Sequence, residues 1–157
     1  MNPDVSLTKE ECNNERVVRS LYEAAESVDL ERFASLFRED GYFYDVSAGQ
    51  KYVGLNVAQP VKIYAKAFPD MHRALESVVV RGTLVLVELS LNGTHRGDLA
   101  LPGGTIHPTG KKIQAPCCDV FRLEGAKVKS FHCYTAATIL FAQLGVLNNL
   151  SAALSSN

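Results

Sequence analysis

The sequence has no excess of charge, no basic run and no long hydrophobic run. Its 157 residues include 16 lysines and arginines and 17 aspartates and glutamates, for a formal net charge of −1. This balance excludes the strongly basic surface that nucleic acids and anionic membranes attract. The N-terminus is polar and unlike a signal peptide, and no apolar run approaches the roughly 18 residues of a membrane helix. We therefore expect a cytoplasmic protein with no nucleic-acid or membrane partner.

Cysteine is scarce, and its spacing is not that of a metal site. The four cysteines are Cys12, Cys117, Cys118 and Cys133, and no pair has the CxxC spacing of common zinc sites. Cys117 and Cys118 are neighbours on a predicted strand, so their side chains point to opposite faces. We expect reduced, mostly buried thiols, with no metal and no disulfide.

The length predicts one domain. A chain of 157 residues with 46% hydrophobic residues can bury one sizeable core but is too short for two ordinary domains. We interpret residues 1–157 as a single unit and expect disordered tails at 1–7 and 151–157. No Ser-His-Asp order and no phosphate-binding loop is evident.

The first 70 residues predict three helices and one short strand. Thr8 and Glu11 match a capping box, which predicts a helix to about Val28 with an apolar stripe of Val17, Leu21, Ala24 or Ala25, and Val28. Asp29 can cap a second helix whose Leu30, Phe33, Leu36 and Phe37 face inward. An aromatic strand over 42–46 ends near Asp45, and a third helix follows over 55–68, with Pro60 in its first turn.

The remainder of the chain predicts a curved antiparallel sheet. Alternating runs at 73–81, 84–95 and 111–135 are typical of long strands. His95 shares an apolar face with four aliphatic residues of the second run. Residues 97–110 form a loop or flap that carries His107, and residues 135–145 form either a short helix or a terminal strand.

One hairpin places an acid on an apolar face. Residues 111–135 predict two strands joined at Glu124-Gly125-Ala126. Asp119 falls in a stripe with Ile113, Ala115, Cys117, Phe121 and Leu123. Folding at the turn sets Asp119 opposite Ser130 or His132, and either register keeps Val128, Ser130, His132 and Tyr134 on its face. The predicted face is apolar but carries a carboxyl, an imidazole and a phenol.

These residue types suggest acid/base chemistry, and each also has a structural interpretation. Burial can hold Asp119 protonated, so that it donates a hydrogen bond to an enolate oxygen, while a better solvated Asp45 can abstract a proton next to a carbonyl. Alternatively, Asp119 is a core group bonded to His132 or Ser130, and Asp45 caps a turn. His95 is either a pocket base or a core histidine, and His107 either closes over a ligand or is solvated. The side chains that can line the pocket or simply pack are Tyr42, Tyr44, Tyr64, Cys117, Phe121 and Tyr134.

Five short phrases in order resemble one superfamily. They are Phe68-Pro69-Asp70, Gly93-Thr94-His95-Arg96-Gly97, Pro108-Thr109-Gly110-Lys111, Asp119-Val120-Phe121-Arg122 and Gln143-Leu144-Gly145. With the predicted element order, residues 15–147 resemble the NTF2-like superfamily and its SnoaL-like polyketide cyclase and ketosteroid isomerase-like groups. The resemblance implies an α+β cone, in which a curved antiparallel sheet wraps around three helices and leaves a deep apolar pocket. It also implies catalysis without a cofactor, and a homodimer through the outer sheet face around Lys112, Gln114 and Arg122.

The resemblance also suggests candidate residues. Asp45 and Asp119 match the two carboxylates of ketosteroid isomerase-like enzymes, whose tyrosine falls at Leu21, beside Tyr22. In the aldol-type cyclases the carboxylate falls near Cys133 and its companion histidine at Asp119. We expect a cofactor-independent cyclase or isomerase acting on a small, largely apolar carbonyl metabolite, polyketide-like or steroid-like, through Asp119, His132, Asp45 and His95. The alternatives are a non-catalytic small-molecule binding or dimerisation module and an epoxide-opening hydrolase, for which the sequence shows no clear Asp-Arg-Asp arrangement.

Overall fold

The computed structural model describes residues 6–147 as an α+β fold. The elements in order are α1 (Lys9–Glu26), α2 (Leu30–Ser35), β1 (Phe37–Asp45), β2 (Gln50–Val53), a 3-10 turn (Gly54–Ala58), α3 (Gln59–Ala67), β3 (His72–Arg81), β4 (Leu84–Thr94), β5 (Leu99–Leu101), β6 (Gly104–Ile106), β7 (Lys112–Glu124), β8 (Lys127–Thr135) and α4 (Ala137–Leu144). The predicted tails lie outside the described residues, except for Ser6 and Leu7, which are exposed coil. Within residues 6–147, none of the helices is both long and apolar enough to cross a membrane.

Six strands form one curved sheet that does not close. Their order is β2-β1-β8-β7-β4-β3, and β5 and β6 pair separately as a short hairpin. All neighbours in the large sheet are antiparallel except β1 and β8, which run parallel. The predicted antiparallel arrangement is therefore confirmed for β3, β4, β7 and β8, while β1 pairs with β8 in the parallel sense and with β2 in the antiparallel sense.

Helix α1 begins as predicted and buries most of the predicted stripe. The Thr8 hydroxyl accepts a hydrogen bond from the Glu11 amide at 3.2 Å, and the Glu11 carboxylate accepts one from the Thr8 amide at 2.9 Å, which completes the capping box. The buried face consists of Val18, Leu21, Tyr22, Ala24 and Ala25 with Asn14. The predicted Leu21, Ala24 and Ala25 are buried and Val17 is half-buried against the core, whereas Val28 lies beyond the helix end and is exposed. Tyr22 also lies in the interior.

The first strand is longer than the sequence predicted. Helix α2 ends at Ser35, and Phe37, expected on that helix, already belongs to β1. The pairing of β1 with β8 shifts register between Phe37 and Tyr42. Gly41 lies in this bend, where an added Cβ would be 2.6 Å from the Val128 carbonyl oxygen. Only a glycine therefore lets the two backbones approach so closely.

The β7–β8 hairpin has the predicted turn but a different register. Gly125 and Ala126 have φ of 59° and 58°, as a two-residue primed turn requires. Leu123 pairs with Val128 and Arg122 with Ser130, so Lys129 is an extra residue that forms a β-bulge. Beyond this bulge Asp119 pairs with Cys133 rather than with Ser130 or His132. The prediction that His132 and Tyr134 share the face of Asp119 is therefore wrong.

Candidate active site

A cavity lies between the inner face of the sheet and the helices. It encloses about 530 Å³ of empty space when the open space at its mouth is included. Most of its wall is apolar, with side chains that include Leu21, Phe33, Phe43, Leu89, Leu91 and Phe131. Its ionisable oxygen and nitrogen groups come from Tyr22, Asp45, Tyr64, Arg73 and Asp119. A few polar groups thus converge in an otherwise apolar chamber.

Tyr22 and Asp119 form a buried hydrogen-bonded pair in this cavity. The Tyr22 hydroxyl on α1 donates to Oδ2 of Asp119 on β7 at 2.6 Å, and the two residues are 5% and 3% exposed. The Cys117 thiol donates to the other carboxylate oxygen, Oδ1, at 3.4 Å. Both oxygens of Asp119 are therefore engaged by donors that favour its ionised form.

Burial sets the protonation of this pair. It raises the pKa of Asp119 to about 6, against the opposing effects of hydrogen bonds from Tyr22, Cys133 and Cys117 and the charge of Arg73. Burial, followed by the charge of Asp119, raises the pKa of Tyr22 well above 10.0. Asp119 is therefore mainly ionised at pH 7 and Tyr22 is its donor. The upward direction of the shift is the one expected from the burial of Asp119.

Asp45 and Asp119 flank the same residue on the sheet. Cys133 on β8 pairs with Asp119 on β7 and with Asp45 on β1. Because paired residues point to one face, the row Asp45–Cys133–Asp119 runs across the inner wall. Oδ1 of Asp45 accepts a hydrogen bond from the Ala48 amide at 3.2 Å, as the turn-capping interpretation required. Burial also raises the pKa of Asp45, although less effectively, because backbone amides of Ala48 and Ser47 favour its ionised form.

Two thiols sit beside the Asp119 carboxylate. The Cys117 and Cys133 sulfurs are 3.6 Å apart, and the Thr135 hydroxyl lies 3.4 Å from the Cys133 sulfur. A hydrogen bond with Cys117, then burial and the charge of Asp119, raise the pKa of Cys133 well above 9.0, so this thiol stays neutral. Ligand atoms of Cys117, Asp119 and Cys133 lie within 4.8 Å of one another, a spacing compatible with a metal ion. In this structure the two Asp119 oxygens accept hydrogen bonds from Tyr22 and Cys117.

Two further polar side chains line the cavity: Arg73, which the sequence analysis did not predict, and Tyr64, which it predicted only as part of the pocket wall. Arg73 on β3 is the one cation among the described residues that line the cavity, and its side chain is mostly buried. Its Nη1 lies 3.6 Å from Glu26 Oε1 at the end of α1. Tyr64 on α3 lines the cavity as predicted, and burial raises its pKa, so its hydroxyl remains a donor. The sequence signal for Arg73 was a charge at the start of an alternating strand.

Several predicted residues lie on the outer face of the sheet. The Tyr42 hydroxyl is 3.0 Å from Nε2 of His132, and the ring of Tyr44 packs edge-on against the His132 ring. Tyr134 is 46% exposed. None of these four side chains lines the cavity among the described residues, because β1 and β8 turn them outward. The structure therefore corrects their expected position in the pocket.

The other histidines and Phe121 are also outside the cavity. His95 is fully buried, with Nδ1 accepting a hydrogen bond from the Thr109 amide at 3.2 Å and its ring packed on Phe68. This environment agrees with the interpretation of His95 as a core histidine rather than a pocket base. The His107 side chain is 84% exposed and lies 3.0 Å from Asp98. Phe121 is buried behind the cavity wall against Phe131, whereas Cys117 lines the cavity as predicted.

Several solved structures are similar to this chain over most of its length. A proposed SnoaL-like polyketide cyclase from Jannaschia sp. CCS1 is 20% identical with a TM-score of 0.77, and the match covers 88% of this chain and 96% of that chain. IdmH, a proposed polyketide cyclase from Streptomyces antibioticus, is 24% identical with a TM-score of 0.69, over 85% of this chain and 99% of its own. AclR, a proposed hydroxylase from Streptomyces galilaeus, is 19% identical with a TM-score of 0.73, over 87% of each chain. At these identities the likeness shows the fold alone.

Sequence comparison identifies the family. No curated protein matches this chain significantly. The model of the family described as SnoaL-like polyketide cyclase matches residues 15–144. That range includes the part of α1 that carries Tyr22, the strands that carry Asp45 and Asp119, and α4, so the match spans all the residues that line the cavity. The chain belongs to the SnoaL-like polyketide cyclase family.

Proposed function

We propose that the protein is a cofactor-independent cyclase or isomerase in which Asp119 is the general base. Family membership supports a cyclase- or isomerase-type role in general. The observation that carries the proposal is the 2.6 Å hydrogen bond between Tyr22 and Asp119 in an apolar cavity. A general base works best when its pKa lies near the working pH, and burial raises the pKa of Asp119 to about 6.

The first step is proton abstraction next to a carbonyl group. The ionised Asp119 takes a proton from the α-carbon of a bound ketone, and the electron pair of that C–H bond moves into the enolate. Tyr22 keeps the carboxylate oriented and remains protonated. Negative charge develops on the substrate oxygen, for which the Arg73 guanidinium and the Tyr64 hydroxyl are the available donors in the same cavity.

The second step distinguishes the two reactions. In a cyclisation the enolate carbon attacks a second carbonyl of the same molecule and forms the new C–C bond, while the π bond of that carbonyl breaks. The resulting alkoxide takes the proton that Asp119 removed in the first step, which returns Asp119 to its ionised form. In an isomerisation the enolate is protonated at another carbon, and Asp119 returns the proton that it took. The apolar wall keeps water away from the enolate in both cases.

The experiment measures proton exchange without knowledge of the natural substrate. Deuterium exchange at the α-carbon of 2-tetralone in D₂O is followed by proton NMR with the wild type and with Asp119→Asn, Asp45→Asn and Asp40→Asn. Asp40 is a matched control because it is an exposed acid on β1, paired with Arg38. We expect Asp119→Asn to slow exchange about 10² to 10⁴-fold, the usual contribution of a general base, and Asp40→Asn to leave it unchanged.

The other outcomes are equally informative. If Asp45→Asn loses deuterium exchange and Asp119→Asn keeps a normal rate, Asp45 rather than Asp119 is the general base. No enzyme-dependent exchange in any variant, together with bound ketone, would contradict the proposal and favour a binding module.

Epoxide-opening hydrolysis is a second candidate because of one observation. Arg73 lines the same cavity as Asp45 and Asp119. The cavity therefore combines one arginine with two aspartates, a combination that the sequence did not reveal. In that reaction one carboxylate takes a proton from water, the water oxygen attacks an epoxide carbon as its C–O bond breaks, and the opened oxygen takes a proton from the other carboxyl group. Incorporation of ¹⁸O from labelled water into a diol product distinguishes it from proton transfer on a ketone.

A further inference from the structure

Arg73 places a fixed positive charge in an apolar cavity. It lies on β3, the edge strand of the sheet, and its side chain is 12% exposed. A guanidinium group stays protonated in proteins, so its burial is not relieved by loss of a proton. A buried charge is normally compensated by a hydrogen-bonded partner of opposite charge. An anion is therefore expected beside the Arg73 guanidinium.

The protein itself supplies only a weak partner. Within residues 6–147 the one acid within salt-bridge distance is Glu26, and its Oε1 is 3.6 Å from Nη1 of Arg73, too far for a hydrogen bond. The Glu26 carboxylate is already engaged, because Oε1 accepts the backbone amide of Arg73 at 2.7 Å and Oε2 lies 3.2 Å from Nδ1 of His72. Among the described residues, Nε2 of His95 is the one fully buried side-chain nitrogen or oxygen without a hydrogen-bond partner, so the guanidinium nitrogens remain accessible. They are free to bind an anion from outside the chain.

The strand register separates Arg73 from Asp119. Arg73 pairs with Leu91 on β4, Leu91 pairs with Ala115 on β7, and Asp119 lies four residues further along β7. Four residues of a strand span about 13 Å and two strand spacings about 10 Å, so the two Cα atoms are roughly 16 Å apart. Both side chains line the cavity and shorten this gap. A single molecule therefore reaches Arg73 and Asp119 with two different parts.

We propose that Arg73 binds a carboxylate of the substrate, and that the substrate is a keto acid whose acid group lies away from the carbon that reacts beside Asp119. This inference rests on the proposed function and adds a substrate class to it. A carboxylate accepts two parallel hydrogen bonds from a planar guanidinium group. A monoanion fits better than a phosphate dianion, because Asp45 and Asp119 already bring negative charge to the same cavity. With Arg73 occupied, the Tyr64 hydroxyl is the donor that remains for the enolate oxygen.

The test compares a keto acid with its uncharged amide. Dissociation constants of 6-oxoheptanoate and 6-oxoheptanamide, which have the same chain and the same ketone, are measured at neutral pH by ligand-observed NMR. The proteins are the wild type, Arg73→Gln, Arg73→Lys and Arg81→Gln. Arg81 is the matched control, because it is an exposed arginine on the same strand.

The wild type is expected to bind the acid at least about tenfold more tightly than the amide, because a hydrogen bond between charged groups contributes more than a neutral one. Arg73→Gln is expected to bring the two dissociation constants within about twofold of each other or to reverse their order, since Asp45 and Asp119 then repel the acid. Arg73→Lys keeps the charge but loses the paired hydrogen bonds, so it retains part of the preference, and Arg81→Gln retains all of it.

Three results would overturn the proposal. They are equal affinities of acid and amide for the wild type, no binding of the acid by the wild type at about 10 mM, and a preference for the acid that survives in folded Arg73→Gln. Should Arg73→Gln not fold, a preference that is reduced in Arg73→Lys but not in Arg81→Gln supports the proposal, and an equal preference in both variants overturns it.

Asp119→Asn separates this inference from the proposed function. It removes a negative charge from the cavity and leaves Arg73 in place, so it is expected to keep or increase the preference for the acid even if it loses deuterium exchange next to the ketone. A preference for the acid without exchange in any variant would leave the carboxylate site standing and remove the reaction. Exchange of both compounds without such a preference would do the reverse.

Discussion

The buried carboxylate of Asp119 is expected to destabilise the fold at neutral pH. Its folded-state pKa of about 6 lies about 2 pH units above the ordinary value of 3.8. Each unit corresponds to 1.36 kcal/mol, so ionised Asp119 costs about 3 kcal/mol relative to its protonated form. Because the folded state binds this proton more tightly than the unfolded chain, the cost is absent below about pH 4, grows as the pH rises to 6 and is constant above that.

Asp119→Asn removes this titration while keeping a side-chain oxygen for the Tyr22 hydroxyl. The difference in free energy of unfolding, variant minus wild type, is therefore expected to increase by about 2 kcal/mol between pH 4.5 and 7.5. Urea unfolding at several pH values measures it, and other titrating groups cancel in the difference. Relative to the wild type, the variant is thus expected to become more stable as the pH rises, although it loses proton transfer. A difference that does not change with pH would refute the assignment of the raised pKa to Asp119.

Two further predictions concern single side chains. Tyr22→Phe removes a hydrogen bond to an ionised group, which is worth about 1.5–3 kcal/mol. The pKa of Asp119 is therefore expected to rise by about 1–2 pH units in a ¹³C NMR titration of its carboxyl carbon. An unchanged pKa would contradict the hydrogen bond. Gly97→Ala would place a Cβ 2.0 Å from a backbone oxygen of α3, whereas Gly103→Ala meets nothing within 4 Å. We expect the first to lower the free energy of unfolding by at least about 2 kcal/mol and the second to change it by less than about 0.5 kcal/mol, and equal effects in thermal unfolding would contradict the packing at Gly97.

Local patterns predicted the elements well. The capping box at Thr8, Pro60 in the first turn of α3 and the alternation of β7 each depend on neighbouring residues, and each was confirmed. The same alternation placed Asp119 on the buried face, where the structure has it. The α+β fold and the cavity follow from these elements together with the resemblance of the chain to its family.

The partners of Asp119 could not be predicted, because they depend on non-local geometry. The bulge at Lys129 reverses the faces of β8 beyond it, and counting from the turn therefore assigned His132 to the wrong side. Phe131 was the available clue, since unbroken alternation would have exposed this aromatic ring. Tyr22 depended on the rotation of α1, where Val17 and Val18 are equally good core residues by composition.

The row Asp45–Cys133–Asp119 fixes the distance between the two acids of the site. The two acids stand on strands separated by one strand, so their Cα atoms are roughly 10 Å apart, twice the spacing of neighbouring strands. The ladder hydrogen bonds fix this separation, and changes in the surrounding loops leave it intact. A molecule that touches both acids must therefore reach across the Cys133 side chain, and the bulk of residue 133 sets which molecular shapes can lie between them.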